Sequence, residues 1–433
     1  MLKVLFSFDF RYTAINQLWK LFSGPTLLIF IPLYLNAEVQ GYWYTFISLA
    51  ALSIFADLGF STILLQFSAH EFAHLKFNKD KTLIGNNYNL NRLSSILKFS
   101  IKWAIYISLI VFPIIILIGY IILNNKQTDI NWFLPWIMYV FASIIVFINS
   151  LLLSFIEGCD SVAQIQKIRF LISFFNSFIM LLLLFLGSEL YSLSFAFLIS
   201  ALIGSFLIFI KYKNLLKQLF YINGEKEYDL KKDMFPLLKR YSISWISGYF
   251  IFSIFTPITF HYYGAIEAGK VGLSIALCSA VYNISNVWIT MIIPKINMLV
   301  SKSDYKILND LFYKHLIFSM CTFLVGLLLV CLIYFFIDKN ELLDRFVSFN
   351  SIIVLLISWF LQLIINSMAV YIRAHKVEPL SMLSFISAIY VSLITFLIAI
   401  YLPFEYYFVG FLSSYIWGLP LVINIFKKYK REN

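Results

Sequence analysis

Two residue patterns in the chain could do chemistry. His70-Glu71-Phe72-Ala73-His74 has the H-E-x-x-H spacing, in which two histidines one helical turn apart hold zinc and the glutamate acts as general base. Such a site also needs a third protein ligand. The other histidines, His261, His315 and His375, stand near the ends of other expected helices, and no acidic residue nearby forms a third-ligand motif. An amphipathic elbow helix leading from an apolar span into a charged loop accounts for the segment as well, which leaves a metalloprotease as a minor alternative. The second pattern is polar side chains spaced so that each set shares one helical face within an apolar run. Thr13, Asn16, Lys20 and Ser23 form one stripe ahead of Gly24-Pro25. Ser53, Asp57 and Ser61 form another, as do Ser279, Asn283, Asn286 and Thr290, and then Ser358, Gln362, Asn366 and Arg373.

The uncharged members of these stripes either lock neighbouring helices by hydrogen bonds or line a cavity. Charged members carry more information, because an ionised group in hydrocarbon costs at least ~2.5–3.5 kcal/mol and persists only where it is wet or paired. Asp57 is the only acidic residue well inside an expected span, as counter-ion to a cavity base or as a proton-coupling carboxylate. Lys20 lies a turn or two in from one end, while Arg373, Lys295 and Arg169 sit nearer helix ends, where a topological role explains them equally well. Together they form a basic rim suited to a phosphate-bearing ligand.

The elements that must position these residues follow from composition. The 433 residues are 61% hydrophobic and 13% charged, against roughly 25% charged in soluble domains. Cut into the ~20-residue lengths that a ~30 Å hydrocarbon layer demands, the apolar runs give about twelve crossings. They are too long, and too free of alternation, for barrel strands. The expected fold is therefore an all-α polytopic membrane protein, with spans near 14–35, 42–66, 99–123, 133–156, 168–187, 191–210, 241–262, 269–293, 314–337, 347–370, 379–402 and 405–426. All but Lys126, Lys270, Lys339 and Arg345 of the 33 Lys and Arg fall on one side of these spans. This bias makes both termini cytoplasmic and explains the net charge of +11 without nucleic acid. Four cysteines give no disulfide framework, and residues 1–10 lack the basic region and cleavage site of a removable signal peptide.

A charged, amphipathic stretch at 211–240 separates two groups of six spans, so the expected organisation is a lobe at 1–210, a linker at 211–240 and a lobe at 241–433 with a basic tail. Short matches between the halves support a duplication: Arg11-Tyr12-Thr13 with Arg240-Tyr241-Ser242, Ala37-Glu38-Val39-Gln40-Gly41 with Ala265-Ile266-Glu267-Ala268-Gly269, and Ile148-Asn149-Ser150 with Ile365-Asn366-Ser367. Six spans return the chain to its starting side, so the lobes should be parallel repeats about a pseudo-two-fold along the membrane normal, with a substrate site between them.

Three segments, Gly41-Tyr42-Trp43-Tyr44-Thr45-Phe46, Phe55-Ala56-Asp57-Leu58-Gly59-Phe60 and Gln66-Phe67-Ser68-Ala69-His70-Glu71, resemble bacterial polysaccharide flippases of the Wzx type. The resemblance is specific over the first ~100 residues and architectural elsewhere. It implies the multidrug/oligosaccharidyl-lipid/polysaccharide exporter fold. It also implies flipping of undecaprenyl-diphosphate-linked oligosaccharide across a bacterial inner membrane for O-antigen or capsule synthesis, beside a glycan polymerase and chain-length regulator. His70-Glu71 becomes part of a family-like loop. No cofactor is implied, and whether a coupling ion, H+ or Na+, takes part is left open by the sequence. In this mechanism Lys20 and Arg373 attract the diphosphate, while Asn16, Asn283, Asn286, Gln362 and Asn366 meet sugar hydroxyls. A multidrug or small-cation antiporter on the same fold is the alternative from another substrate class. A membrane glycan polymerase is the enzyme alternative, and short outside loops count against it.

Overall fold

A computed structural model describes residues 8–124, 129–159, 162–222, 230–301, 303–336, 343–375 and 378–432. In chain order the elements are α1 (Phe8–Tyr34), α2 (Ala37–Ala50), α3 (Ile54–Asp57), α4 (Phe60–Phe72), a hairpin of β1 (Leu75–Phe77) and β2 (Leu83–Gly85), α5 (Asn87–Leu123), α6 (Phe133–Cys159), α7 (Val162–Phe185) and α8 (Glu189–Tyr221). They continue with α9 (Leu230–Phe252), α10 (Phe255–Tyr263), α11 (Ala265–Thr290), α12 (Ile293–Ser301), α13 (Tyr305–Phe336), α14 (Phe349–Arg373), α15 (Ser381–Tyr401) and α16 (Val409–Glu432). Among the described residues, eleven helical stretches are long and apolar enough to cross a membrane. The 27-residue α1 occupies the first expected span. The all-α polytopic reading holds.

The chain divides into two compact units, one of Met1–Leu35 with Phe46–Ile246 and one of Asn36–Thr45 with Ser247–Asn433. In the first unit the helices are amphipathic in the sense that lipid requires. The packed side of α5 carries Ser100, Ala104, Ser108 and Gly119, and its exposed side carries Ile105, Leu109, Ile110, Leu117 and Ile121. Lipid tails solvate large apolar side chains as well as a core does, so close helix packing falls to small residues. On α8 the buried residues include Ser192, Ser194, Ala196, Ser200, Ala201 and Gly204. Interhelical bonds fix these contacts: Ser194 Oγ donates to the Pro135 carbonyl at 2.7 Å, and Asn149 Nδ2 to the Ala201 carbonyl at 2.8 Å.

α5 and α8 run well past the spans expected for them. α5 begins at Asn87 rather than near 99, capped by Asn86, whose side chain accepts from the Tyr88 N–H. α8 continues eleven residues past 210, because Tyr212, Leu215 and Leu219 keep one face buried while Lys211, Lys213 and Lys217 flank it. The hairpin seats on this extension. Gln218 accepts from the Leu83 N–H at 2.6 Å and donates to the Leu83 carbonyl at 2.8 Å, so that its amide pairs with the edge of β2 as another peptide group would.

In the second unit, Phe255, Val271, Phe323, Trp359, Val391, Tyr407 and Phe411 form one core. A second core gathers Ile289, Ile296, Phe312, Tyr371, Val422 and Phe426. Two of the matched sequence segments meet in this unit. A Cβ added at Gly41 would overlap the Ala265 carbonyl, and one added at Gly269 would fall 3.0 Å from the Gly41 N and 3.2 Å from the Ala37 carbonyl oxygen. Gly41 thus packs against the backbone at Ala265, and Gly269 against the backbone at Ala37 and Gly41. Gln40 Nε2, donating to the Gly269 carbonyl at 3.0 Å, holds this contact closed.

Candidate functional site

Asp57 sits at a break. Leu58 and Gly59 both take left-handed backbone angles, with φ of 49° and 79°, which ends α3 and lets α4 start on a new axis. The first N–H groups of α4 have no helical acceptors. Asp57 supplies one: Oδ1 accepts from the Ser61 N–H at 3.0 Å and Oδ2 from the Ser61 hydroxyl at 2.9 Å. The carboxylate is thus held by hydrogen bonds and by the positive end of a helix rather than by a base. It has no ion-pair partner among the described residues.

Beside this break the first unit contains a cavity of about 440 Å³. Asp57, Ser53 and Ser61 line it from the broken helix, Tyr139, Ser143 and Ser150 from α6, and Trp245 from α9, with Phe147 and Phe197 completing aromatic walls. Tyr139 and Phe197 lie with ring centroids 4.9 Å apart. The sequence reading had found Ser53, Asp57 and Ser61 but passed over Tyr139, Ser143, Ser150 and Trp245. A signal existed: Tyr139, Ser143, Phe147 and Ser150 recur at helical spacing on one face of an otherwise apolar helix.

The other expected site residues fall elsewhere. Asn16 is buried and donates to Gln166 Oε1 at 2.8 Å, and Gln166 donates in turn to Glu157, which pairs with Arg169 at 2.6 Å. Lys20 lies on α1, but its side chain, like that of Thr13, is outside the described residues. Asn366 Nδ2 donates to Asn286 Oδ1 at 3.2 Å, and the Tyr415 hydroxyl donates to Gln362 Oε1 at 3.2 Å. Both are bonds between helices of the second unit. Asn283 is exposed. Arg373 grips Glu378 with two bonds of 2.8 Å, a partner the sequence reading did not assign.

The H-E-x-x-H segment is built for packing. α4 ends at Phe72, so His74 lies in the following turn rather than one helical turn along from His70. Glu71 is 1% exposed, accepts from Asn89 Nδ2 at 2.8 Å and faces Arg92 Nε at 3.2 Å. Its oxygens are engaged by Asn89 and Arg92 of α5, with His70 Nδ1 3.4 Å from Oε1.

Solved structures carry the same architecture. An inward-facing multidrug resistance MATE family transporter of the MOP superfamily matches over 95% of this chain and 96% of its own, with a TM-score of 0.61 and 13% identity. The MATE multidrug transporter DinF-BH matches over 97% and 95%, at 0.65 and 12%. An outward-facing MATE transporter of the MOP superfamily matches over 97% and 92%, at 0.54 and 13%. This is the MATE transporter fold. No protein-family profile and no curated protein matches the chain. Within the MATE fold the Asp57 cavity belongs wholly to the first unit, and its lining holds one carboxylate, several hydroxyls and aromatic faces, without a lysine or arginine.

Proposed function

We propose that the chain flips undecaprenyl-diphosphate-linked oligosaccharide repeat units from the cytoplasmic to the periplasmic leaflet of a bacterial inner membrane by alternating access. The supporting observation is the cavity lining. Ser53, Ser61, Ser143, Ser150 and Tyr139 offer hydroxyls beside the faces of Trp245, Phe147 and Phe197. A sugar presents hydroxyls that need directional partners and C–H faces that pack on aromatic rings. Solved relatives of this fold include inward-facing and outward-facing forms, which is the motion a flippase needs.

The test is to delete the gene in its host and follow the lipid-linked oligosaccharide together with the surface polysaccharide. Complete single units should accumulate on the inner leaflet while the surface glycan disappears, and a Glu71→Gln complement should restore export. Single units trapped unpolymerised on the outer face would replace this reading with the polymerase.

A lone carboxylate among aromatic walls also favours a second reading, a multidrug or small-cation antiporter, the activity named for the solved relatives. Proteoliposomes separate the two. Efflux of an organic cation driven by a pH gradient and abolished by Asp57→Asn, without movement of lipid-linked glycan, would establish the antiporter.

A further inference from the structure

The lining of the Asp57 cavity is one-sided in its hydrogen bonding. The Ser61 hydroxyl donates to Asp57 Oδ2 at 2.9 Å, and the Ser143 hydroxyl donates to the Tyr139 carbonyl at 2.9 Å. With their protons used, both oxygens can only accept from a ligand. Each Asp57 oxygen takes one bond from Ser61 and keeps a lone pair for another donor. Around Asp57 the cavity therefore calls for hydrogens and for positive charge. No lysine, arginine or histidine lines it among the described residues. Lys232 and Lys239 of α9 line a separate, mainly apolar groove with Leu58, Trp103 and Phe235. The aromatic walls of the cavity are Tyr139, Phe147, Phe197 and Trp245, and ring faces attract a cation as well as packing on the C–H face of a sugar.

This lining discriminates among sugars. A uronic acid would bring a second carboxylate to Asp57, and like charges repel most strongly where water is displaced. An N-acetylated sugar offers one N–H and a carbonyl, and the carbonyl meets acceptors where it needs a donor. A free ammonium group offers three donors and the charge that Asp57 lacks. An ionised carboxylate at membrane depth must be wet or paired, and here the ligand supplies the pair. We propose that the sugar held in this cavity is an amino sugar with a free ammonium group. The ammonium lies against Asp57 and Ser61, and the pyranose ring lies against the aromatic walls. This inference rests on the flippase reading and narrows its substrate to a glycan that carries a cationic sugar.

The test uses the full chain in detergent, in slightly acidic buffer where the amine is charged. Calorimetry measures binding of the glucosamine disaccharide, its di-N-acetylated form, a disaccharide containing glucuronic acid, and cyclohexylamine, which has an ammonium group and a ring but no hydroxyls. The wild type should bind the glucosamine disaccharide at least tenfold more tightly than its acetylated form or cyclohexylamine, and should not retain the acidic disaccharide. Asp57→Asn should erase the preference for the free amine, with the melting temperature showing that the variant folds. Equal or weaker binding of the glucosamine disaccharide by the wild type overturns the inference and leaves the flippase reading standing. So does a preference that survives in Asp57→Asn, which would place the amine elsewhere. Cyclohexylamine bound as tightly as the disaccharide also overturns it, by making the site one for cations rather than sugars. Failure of the flippase reading shows separately, as wild-type protein that keeps the preference for the amino sugar but, in proteoliposomes, does not translocate a glucosamine-containing glycan linked to undecaprenyl diphosphate.

Discussion

Asp57 both starts a helix and lines a cavity, and one substitution separates the two. Its oxygens cap α4 through Ser61, and its charge is the only one lining the cavity. Asparagine retains an acceptor for the Ser61 N–H, whereas alanine removes it at a cost of about 0.5–2 kcal/mol. Asp57→Asn should therefore melt within a few degrees of wild type yet transport at least tenfold more slowly. Transport equal to wild type would show that the carboxylate serves only the helix start. Glu71 is the contrasting case, a buried carboxylate whose partners are Asn89 and Arg92. Removing the carboxylate takes a buried acceptor from Asn89 and the nearer charge from Arg92, which keeps Asp233 at 4.0 Å. Glu71→Ala should thus lower the yield and melting temperature of the folded protein sharply, and Glu71→Gln, which keeps an acceptor for Asn89, should lower them less. Loss of transport by a fully stable Glu71→Gln protein would return that glutamate to chemistry. Arg373 shows how much a residue type leaves open. On the fourth stripe it looked like a phosphate ligand, but Glu378 already neutralises it. Glu378→Gln should raise affinity for the diphosphate if Arg373 contacts substrate, and leave binding unchanged if the pair only closes a helix end.

Glycines decide how the elements meet. Where α2 crosses α11, the backbone at Gly41 touches Ala265 and leaves no room for a methyl group. Overpacking of this kind costs about 1–3 kcal/mol, and here the neighbour is backbone, which cannot rotate away. Gly41→Ala should lower the melting temperature of the detergent-solubilised protein. Gly248→Ala, in a helix with nothing within 4 Å of the added Cβ, should be neutral or stabilising by about 0.5–1 kcal/mol, the ordinary helix preference for alanine. Equal effects of the two would mean that the crossing is not tight. The hairpin depends on one side chain in a similar way. Gln218→Ala removes both bonds to Leu83, each worth about 0.5–1.5 kcal/mol, and residues 75–85 should exchange amide hydrogens faster while the membrane helices do not change. The sequence reading expected no strands here, because three-residue strands with a turn at Asn78–Thr82 carry too little alternation to register against the charged loop around them.

For the whole molecule, the charge asymmetry predicts topology. Cysteines placed at 213 and 345 in a cysteine-free background should be labelled from opposite faces of the membrane, the first from the cytoplasm. Labelling of both from one face would overturn the orientation. The sequence by itself determined the all-α membrane-spanning class. Within hydrocarbon every backbone group must be bonded inside its own segment, so spans appear as long apolar runs that no tertiary contact needs to reveal. Asp57 was legible because an acid inside an apolar run is costly enough to need a reason. Tertiary structure alone decided the rest of the cavity lining. A serine in a membrane helix usually bonds its own preceding turn, as Ser143 does to the Tyr139 carbonyl at 2.9 Å, so its presence in sequence does not distinguish a cavity wall from a packed face. Trp245 lines the cavity, and Lys232 and Lys239 a separate groove, only because α9 lies against the break at Leu58–Gly59. That apposition joins residues far apart in the chain, and local spacing carries no record of it.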